Sequence, residues 1–467
     1  MKLKLLPHQI EGKDFLIDKK RAMLCDTVGM GKTIQAIAAL QEEDLTAIVF
    51  APRSLRKQWY KEIRKFSDLK PQVIYGSAQL RKEQYRTGKD VYILNYEKSL
   101  VDQDYISRLD ADCIILDEAQ RIKNFRARRT IAIKEISNRL NPEFRWILTA
   151  TPIQNTLSDL YSLLDFLNGD TLASVIDKVS PKRGGGWKGY HYMRPGIAGP
   201  YDRQKFMNAI RGMNQNDLYS ALDQIMLRRI SDRIPPSVKT YYLDMNADQK
   251  SLEKEFRNNF QALIKDDLFS VTNALALMTR LRQLSNTPQL INPRYTVMTP
   301  KLKEILAIAQ DMVSFDEKVI FFSEFKKMTD IVSTMLTRYR IRHAYMHGET
   351  SCNPDSEKEK FIDNKDVHVM LATRTGEEGH NLQVAHHIVN IELPYNPSRI
   401  GQRIGRCDRI GQSHTVKVIN LHSQSWIEER ILDIIYEKEE LFDDVINMHN
   451  KHIELDRKMI RQIATET

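Results

Sequence analysis

Two short stretches of this sequence hold the residue types that handle a nucleoside triphosphate. Residues 26–33 read DTVGMGKT, with Gly29, Gly31, Lys32 and Thr33 set between an apolar run and an amphipathic one. Phosphate needs this setting. Glycines let the backbone turn tightly, N–H groups and a helix N-terminus face the anion, Lys32 reaches the β- and γ-phosphates, and the Thr33 hydroxyl ligates Mg²⁺. Asp26 stands where the general pattern GxxxxGK[ST] has its first glycine, so that pattern is met only in part. Asp26, Thr27, Val28, Gly29, Met30, Gly31, Lys32 and Thr33 together make the expected ATP-binding loop. Farther along, CIILDEAQ ends an apolar run with Asp117 and Glu118. Asp117 is placed to hold Mg²⁺ through water, and Glu118 to orient and deprotonate the attacking water. Two acids after a strand are ordinary on their own; paired with a GKT loop they complete a hydrolytic site.

A third stretch, RIGQRIGRCDRIGQ at 399–412, packs four arginines closely together. On a helix turning about 100° per residue, Gln402, Arg406 and Arg409 share one arc with Arg399 and Arg403 beside it. Ile400, Ile404 and Cys407 point the other way. One face is cationic and the other apolar. Spacing alone leaves open whether the cations grip a nucleic acid or act in catalysis.

The elements that must position these residues alternate. Strand candidates are 21–26, 46–52, 72–76, 90–96, 112–118 and 145–151, each a nearly continuous apolar run, with helical stretches such as 32–40 and 54–66 between them. Such runs suit strands buried on both faces of a parallel sheet, joined as βαβ units. Residues 168–202 are rich in glycine, proline and aromatics and read as a loop or insertion. Mostly helical sequence follows to about 312, interrupted by RIPPSVKT. A second alternation then runs through 318–325, 342–348, 367–373, 387–393 and 416–422, and the charged stretch from 425 reads as terminal helix. The expected organisation is α/β: a first lobe over 1–167, an insertion and helical linker over 168–312, a second lobe over 313–424, and a helical extension over 425–467.

With 467 residues, 42% hydrophobic and 28% charged, the chain suits two or three soluble domains. The net charge of +9 is a mild bias toward polyanions. Four scattered cysteines without a CxxC pair argue against a zinc or disulfide framework. No apolar stretch matches a signal peptide or membrane span. The expected setting is cytoplasmic in a bacterial or viral source, or nuclear in a eukaryote, with a monomeric chain and no membrane partner. The pairs His343/His347 and His386/His387 lack a ligand set and read as polar or packing positions.

The motifs, taken in order, resemble those of the Swi/Snf-type ATPases of helicase superfamily two, from about residue 5 to about residue 445. LLPHQIEGKDFL resembles the Q motif, in which Gln9 would read adenine, and DTVGMGKT resembles DEMGLGKT. IVFAPRSLRKQW is similar to motif Ia, DEAQRIKN to motif II, and LTATPIQNTLSDLYSLLDFL to motif III with its extension. MLRRISDRIPPSVKT resembles the LRR segment and Pro-Pro linker, and SNTP replaces a cysteine–asparagine–histidine–proline turn. KVIFFSEFKKMTDI is similar to motif IV, HGETS to the DGSTS segment, and ATRTGEEGHNL to motif V. In motif V, Gly376-Glu377-Glu378 replaces a glycine pair followed by leucine. The arginine stretch takes the place of motif VI, with Gln402, Arg406 and Arg409 at its Q-x-x-x-R-x-x-R positions and RIGQ as its ending.

The resemblance implies two tandem RecA-like lobes with helical insertions and ATP and Mg²⁺ between them. Lys32, Thr33, Asp117 and Glu118 would line one wall, and the arginine fingers Arg406 and Arg409 the other. It implies movement along double-stranded DNA, with contacts directed at phosphates and independent of sequence. Candidates for those contacts are Arg53 and Ser54, Lys123, Ser323, and Thr373 with Arg374; Thr149, Ala150 and Thr151 would relay between ATP and DNA. Arg183, Trp187 and Lys188 are further possible contacts. Two rival readings are a strand-separating DNA or RNA helicase and a non-hydrolysing DNA-binding scaffold.

Overall fold

The structure, a computed structural model, describes residues 4–152, 158–167, 222–229, 235–265, 271–348, 353–377, 381–409, 412 and 414–442. The expectations for 181–201, with Arg183, Trp187 and Lys188, lie outside them, as do those for Glu378 and for Glu349–Ser351 of HGETS. The chain divides into two compact units, one formed mainly by residues up to Asp232 and one mainly by Arg233–Leu441.

The first unit is built on a seven-stranded sheet: β1 Arg21–Leu24, β2 Ala47–Ala51, β3 Pro71–Val73, β4 Val91–Asn95, β5 Cys113–Asp117, β6 Phe144–Leu148 and β7 Met226–Leu227. Its order is β3-β4-β2-β5-β6-β1-β7, and every pairing is parallel. Alternation along each strand feeds two cores. Met23, Ile48, Phe50, Ile114, Leu116 and Ile147 pack on one face. Ala22, Leu24, Val49, Ile115, Trp146 and Leu148 pack on the other. This is why the strand sequences read as unbroken apolar runs.

The second unit has a six-stranded, all-parallel sheet in the order β10-β11-β9-β12-β13-β8. Its strands are β8 Ser237–Leu243, β9 Val319–Phe322, β10 His343–Met346, β11 Val369–Ala372, β12 His387–Asn390 and β13 Lys417–Ser423. Val319, Phe321, Leu371 and Val389 enter one core, and Ile320, Phe322, Met370 and Ile388 the opposite one. Residues 237–312, read from sequence as part of a linker, fall within this unit. They supply the edge strand β8 and helices over Ala247–Lys265, Val271–Asn286 and Pro300–Ser314. β8 pairs on one side only and no residue in it is fully buried, so it lacks the apolar run that marks the central strands.

Helix Trp426–Phe442 packs through Ile427, Ile431 and Ile435 against Leu281 and Leu393. At its start Glu428 is buried, accepting from Lys301 Nζ at 2.6 Å, Ser285 Oγ at 2.6 Å and the Ser423 amide at 2.7 Å. Among the described residues, no helix is long and apolar enough to cross a membrane.

In a parallel sheet every strand ends on the same edge, so the loops leaving those ends converge. The segments after β1, β2, β5 and β6 are the ones singled out from sequence for nucleotide and DNA chemistry in the first unit. Those after β9 and β11 play that part in the second.

Candidate nucleotide site and arginine helix

β1 gives way at Asp26 to a turn in which Gly29 and Gly31 take φ of 90° and 79°, values in the left-handed region that glycine adopts without steric cost. Gly31 caps helix Lys32–Glu42, so the amide-rich N-terminus opens onto the loop. A Cβ at Gly31 would stand 2.7 Å from Gln9 Nε2. Glycine is therefore favoured there by its backbone, and it also lets the Gln9 amide come close. Gln9 is buried, and its Oε1 accepts from the Leu6 amide at 3.0 Å. His8 Nε2 meets the Met30 carbonyl at 3.2 Å. The start of helix Pro7–Lys19 is thereby laid on the phosphate loop.

Lys32 Nζ donates to the carbonyls of Asp26 at 2.6 Å and Thr27 at 3.3 Å, holding the loop in shape. Burial lowers the Lys32 pKa, while the carboxylates of Glu118, Asp26 and Asp117 work against that. The Asp26 carboxylate is fully buried and already committed. It accepts from Arg229 Nη2 at 2.6 Å, Arg229 Nε at 3.0 Å and Gln35 Nε2 at 3.2 Å. Asp26 thus enters the site through its backbone, with its side chain anchoring the loop from beneath. Arg229 also donates to Glu11 Oε2 at 2.9 Å, to Gln35 Oε1 at 2.9 Å and to the His8 carbonyl. Thr27 Oγ1 turns to Met30 Sδ at 3.2 Å, and Val28 and Thr33 are half-buried in the loop and first helical turn.

Asp117 is the last residue of β5, and Glu118 follows with φ 52° and ψ 52°. A non-glycine residue held there carries backbone strain of about 1 kcal/mol or more. Trp59 Nε1 donates to Asp117 Oδ2 at 2.7 Å, and the Tyr96 hydroxyl donates to the Asp117 carbonyl at 2.7 Å. Burial pushes the Asp117 pKa up to about 7, with Glu118 adding to the rise and Trp59 and Lys32 opposing it. Glu118 Oε2 accepts from Gln120 Nε2 at 2.6 Å, and Gln120 Oε1 accepts from Thr149 Oγ1 at 3.0 Å. Thr149 Oγ1 in turn accepts from the Thr151 amide at 3.1 Å. Ala150 joins through its carbonyl, which accepts from Arg228 Nη1 at 3.1 Å. Arg228 also reaches the Cys25 carbonyl at 3.0 Å, at the end of β1.

In the second unit, helix Pro397–Cys407 starts with Asn396 Oδ1 accepting from the Ser398 amide at 3.0 Å. Arg403, which the helical wheel places beside the cationic arc, is fully buried. Its guanidinium donates to Asn390 Oδ1 at 2.7 Å and Glu324 Oε1 at 2.5 Å, and lies 5.3 Å from the centre of the Phe322 ring. Arg399 pairs with the same Glu324. These two arginines pin the helix to the end of β9. A role in gripping phosphate, left open from spacing, does not fit Arg403. Gln402 and Arg409 are half-buried and Arg406 is buried; Arg406 Nε donates to the Gln402 carbonyl at 3.2 Å and Arg409 Nε to the Gly405 carbonyl at 3.1 Å.

The nucleic-acid candidates divide. Arg53 and Arg374 are exposed, and Ser54 and Lys123 half-buried, all just past strand ends or the acidic loop. Ser323 needs correction: it is fully buried, donating to Glu392 Oε1 at 2.6 Å and accepting from the Phe325 amide at 3.1 Å. That hydroxyl shapes the turn after β9 and presents no surface to a strand of DNA. Thr373 is likewise covered, its carbonyl taking the Gly376 amide at 2.9 Å. Sequence reasoning passed over Arg229, Gln35, Trp59 and Gln120. Each lies within or beside a quoted motif, but each has a partner that is remote in sequence.

A glycine-turned phosphate loop before a helix, and an acidic pair at the end of a strand of the same sheet one strand removed, define a P-loop nucleotide hydrolase of tandem parallel α/β units. The SNF2-related domain matches residues 8–290 and the helicase conserved C-terminal domain residues 300–411. The chain belongs to the SNF2-related family and is an ATPase of the helicase and translocase type. It is 24% identical to an uncharacterized ATP-dependent helicase of Bacillus subtilis, YqhH, over 94% of this chain and 79% of that protein. It is 25% identical to the ISWI chromatin-remodeling complex ATPase ISW1 of Saccharomyces cerevisiae, over 96% of this chain and 41% of the relative. It is also 25% identical to the putative ATP-dependent helicase/translocase YwqA of B. subtilis, over 99% and 51%. Beyond YqhH, then, the chain spans about half or less of these relatives. The Sulfolobus solfataricus SWI2/SNF2 ATPase core in complex with dsDNA aligns with a TM-score of 0.43 at 24% identity, covering 99% of this chain and 97% of that one.

Proposed function

We propose that this chain is a translocase on double-stranded DNA that couples ATP hydrolysis to movement along the phosphate backbone, remodelling DNA or DNA–protein complexes. The observation that carries the coupling is the chain of hydrogen bonds from Glu118 through Gln120 to Thr149 and Thr151. It joins the expected water-activating carboxylate to the segment after β6, so a change at Glu118 is felt at once in a loop beside the expected track. Gln9 and the Asp26–Thr33 loop bind ATP. Lys32 leaves its carbonyl partners for the β- and γ-phosphates, and Glu118 takes the proton from water. Gln402, Arg406 and Arg409 sense and stabilise the transferring γ-phosphoryl.

Mg²⁺ fits the donor set, because the Thr33 hydroxyl and the Asp117 carboxylate are the hard oxygen ligands it prefers. When bound, it neutralises charge on the phosphates. A cation there would also offset the burial and the Glu118 repulsion that hold Asp117 half protonated near neutral pH. Arg53, Ser54, Lys123 and Arg374 supply the DNA contacts, and the duplex lies against them through phosphates alone.

The test is ATPase activity with duplex DNA, single-stranded DNA and RNA, for the wild type and Glu118→Gln. Strongest stimulation by duplex, without strand separation and abolished in the variant, is the expected result. Preference for a single strand with displacement of its complement would instead identify a helicase, and no hydrolysis with any polymer a scaffold.

A further inference from the structure

We propose that Glu317, His386 and His387 form a binding site for a divalent transition metal, Zn²⁺ above all, at the N-terminal ends of the strands of the second sheet. Within that unit this is the opposite edge from Ser323, Thr373 and the arginine helix. The histidine pair had no third ligand in the local sequence; the fold supplies one. Glu317 sits just before β9, His386 and His387 open β12, and the two strands are neighbours, with Val319 in register with His387.

One ligand atom from each of the three side chains lies within 4.8 Å of the other two. Both imidazoles turn Nε2 toward the same carboxylate oxygen: His386 Nε2 stands 3.6 Å from Glu317 Oε2, and His387 Nε2 is in contact with it. His387 is 6% exposed, so its Nε2 meets the carboxylate in a setting closed to solvent.

Zinc bound tetrahedrally at about 2.0–2.1 Å sets its ligand atoms roughly 3.3–3.5 Å apart, so side-chain rotation alone closes the site. Two imidazoles and one carboxylate, with an outer position left for water, are a ligand set zinc accepts. Burial lowers the pKa of both histidines, which favours the neutral, ligating form. His414 stacks on His386, with ring centres 4.8 Å apart and planes 19° from parallel, and fixes the orientation of that ring. The bound ion would clasp the entries to β9 and β12 and stiffen this end of the sheet.

The experiment titrates the full chain, free of nucleotide, with Zn²⁺ against a chromophoric chelator, and repeats the titration with Co²⁺ for its visible ligand-field bands. Glu317→Gln and His386→Ala change partly exposed side chains, and circular dichroism verifies their fold. The wild type is expected to bind one equivalent that each variant loses or holds about tenfold or more weakly. His343→Ala, at another histidine of the same sheet edge, should bind like the wild type. Retention of that equivalent at wild-type affinity in both folded variants would overturn the site, as would no binding by the wild type.

Discussion

Replacing Trp59 by phenylalanine removes one hydrogen-bond donor from the candidate metal-binding carboxylate and leaves most of the ring. The indole N–H donates to Asp117 Oδ2 at 2.7 Å in a buried setting. A hydrogen bond to a charged group contributes about 1.5–3 kcal/mol, all of it favouring the ionised carboxylate here. At about 1.4 kcal/mol per pKa unit, its loss raises the Asp117 pKa by roughly 1–2 units from its already elevated position. The acid limb of kcat/KM against pH, which reports the free enzyme, should move up by the same amount. Apparent Mg²⁺ affinity at neutral pH should fall about 5- to 50-fold, because the proton now competes harder for the carboxylate.

Stability moves in a definite direction as well. A carboxyl whose folded pKa lies above its ordinary 3.8 favours the folded state when protonated, and that contribution is lost as pH rises from about 4 toward 7. In Trp59→Phe the loss continues to higher pH. The smaller ring also leaves a void costing about 1–3 kcal/mol, which lowers the amount of folded enzyme but does not displace a pH limb. The assay is steady-state ATPase from pH 6 to 9 at several free Mg²⁺ concentrations, with urea unfolding alongside. Acid limbs that coincide within about 0.3 unit in a folded variant would refute the assignment of Asp117 as the group that titrates.

Arg406→Ala and Arg409→Ala should each keep ATP affinity within about threefold while lowering turnover by roughly 10³ or more, measured by nucleotide binding beside single-turnover hydrolysis. Equal losses of binding and rate in a folded variant would count against the finger role. Arg229→Met strands the buried Asp26 charge and should cost about 3 kcal/mol in urea unfolding. The double variant with Asp26→Leu should recover most of that, and a double no more stable than the single would show the pair is not responsible. Arg53→Ala and Arg374→Ala should each reduce the salt slope of duplex binding by about 1, with similar effects on unrelated sequences. An unchanged slope would remove that residue from the interface.

The six strand candidates of the first lobe and the five of the second all appear as strands, and the central ones are plainest because burial on both faces writes itself into the sequence as continuous apolar runs. β8 escaped notice for the converse reason, since an edge strand with partly covered residues has no such run. The glycines and lysine of the phosphate loop stand within a few residues of one another, and so do the two acids after β5, so each candidate group could be read locally. Trp59, Gln120 and Arg229 were not, because each takes its meaning from a partner brought close only by the sheet. Arg403 shows the same limit. A helical wheel puts it on a charged face, but it cannot show that Glu324, Asn390 and Phe322 wait there to enclose it.

Glu118 occupies a backbone conformation that glycine would adopt at less cost by about 1 kcal/mol. The protein therefore keeps, beside its expected hydrolytic centre, a residue that a search for heat resistance alone would discard. If Glu118 activates water as proposed, optimising such a chain for thermal endurance draws substitutions toward the position where they do most damage, and the left-handed turn after β5 sets durability against turnover.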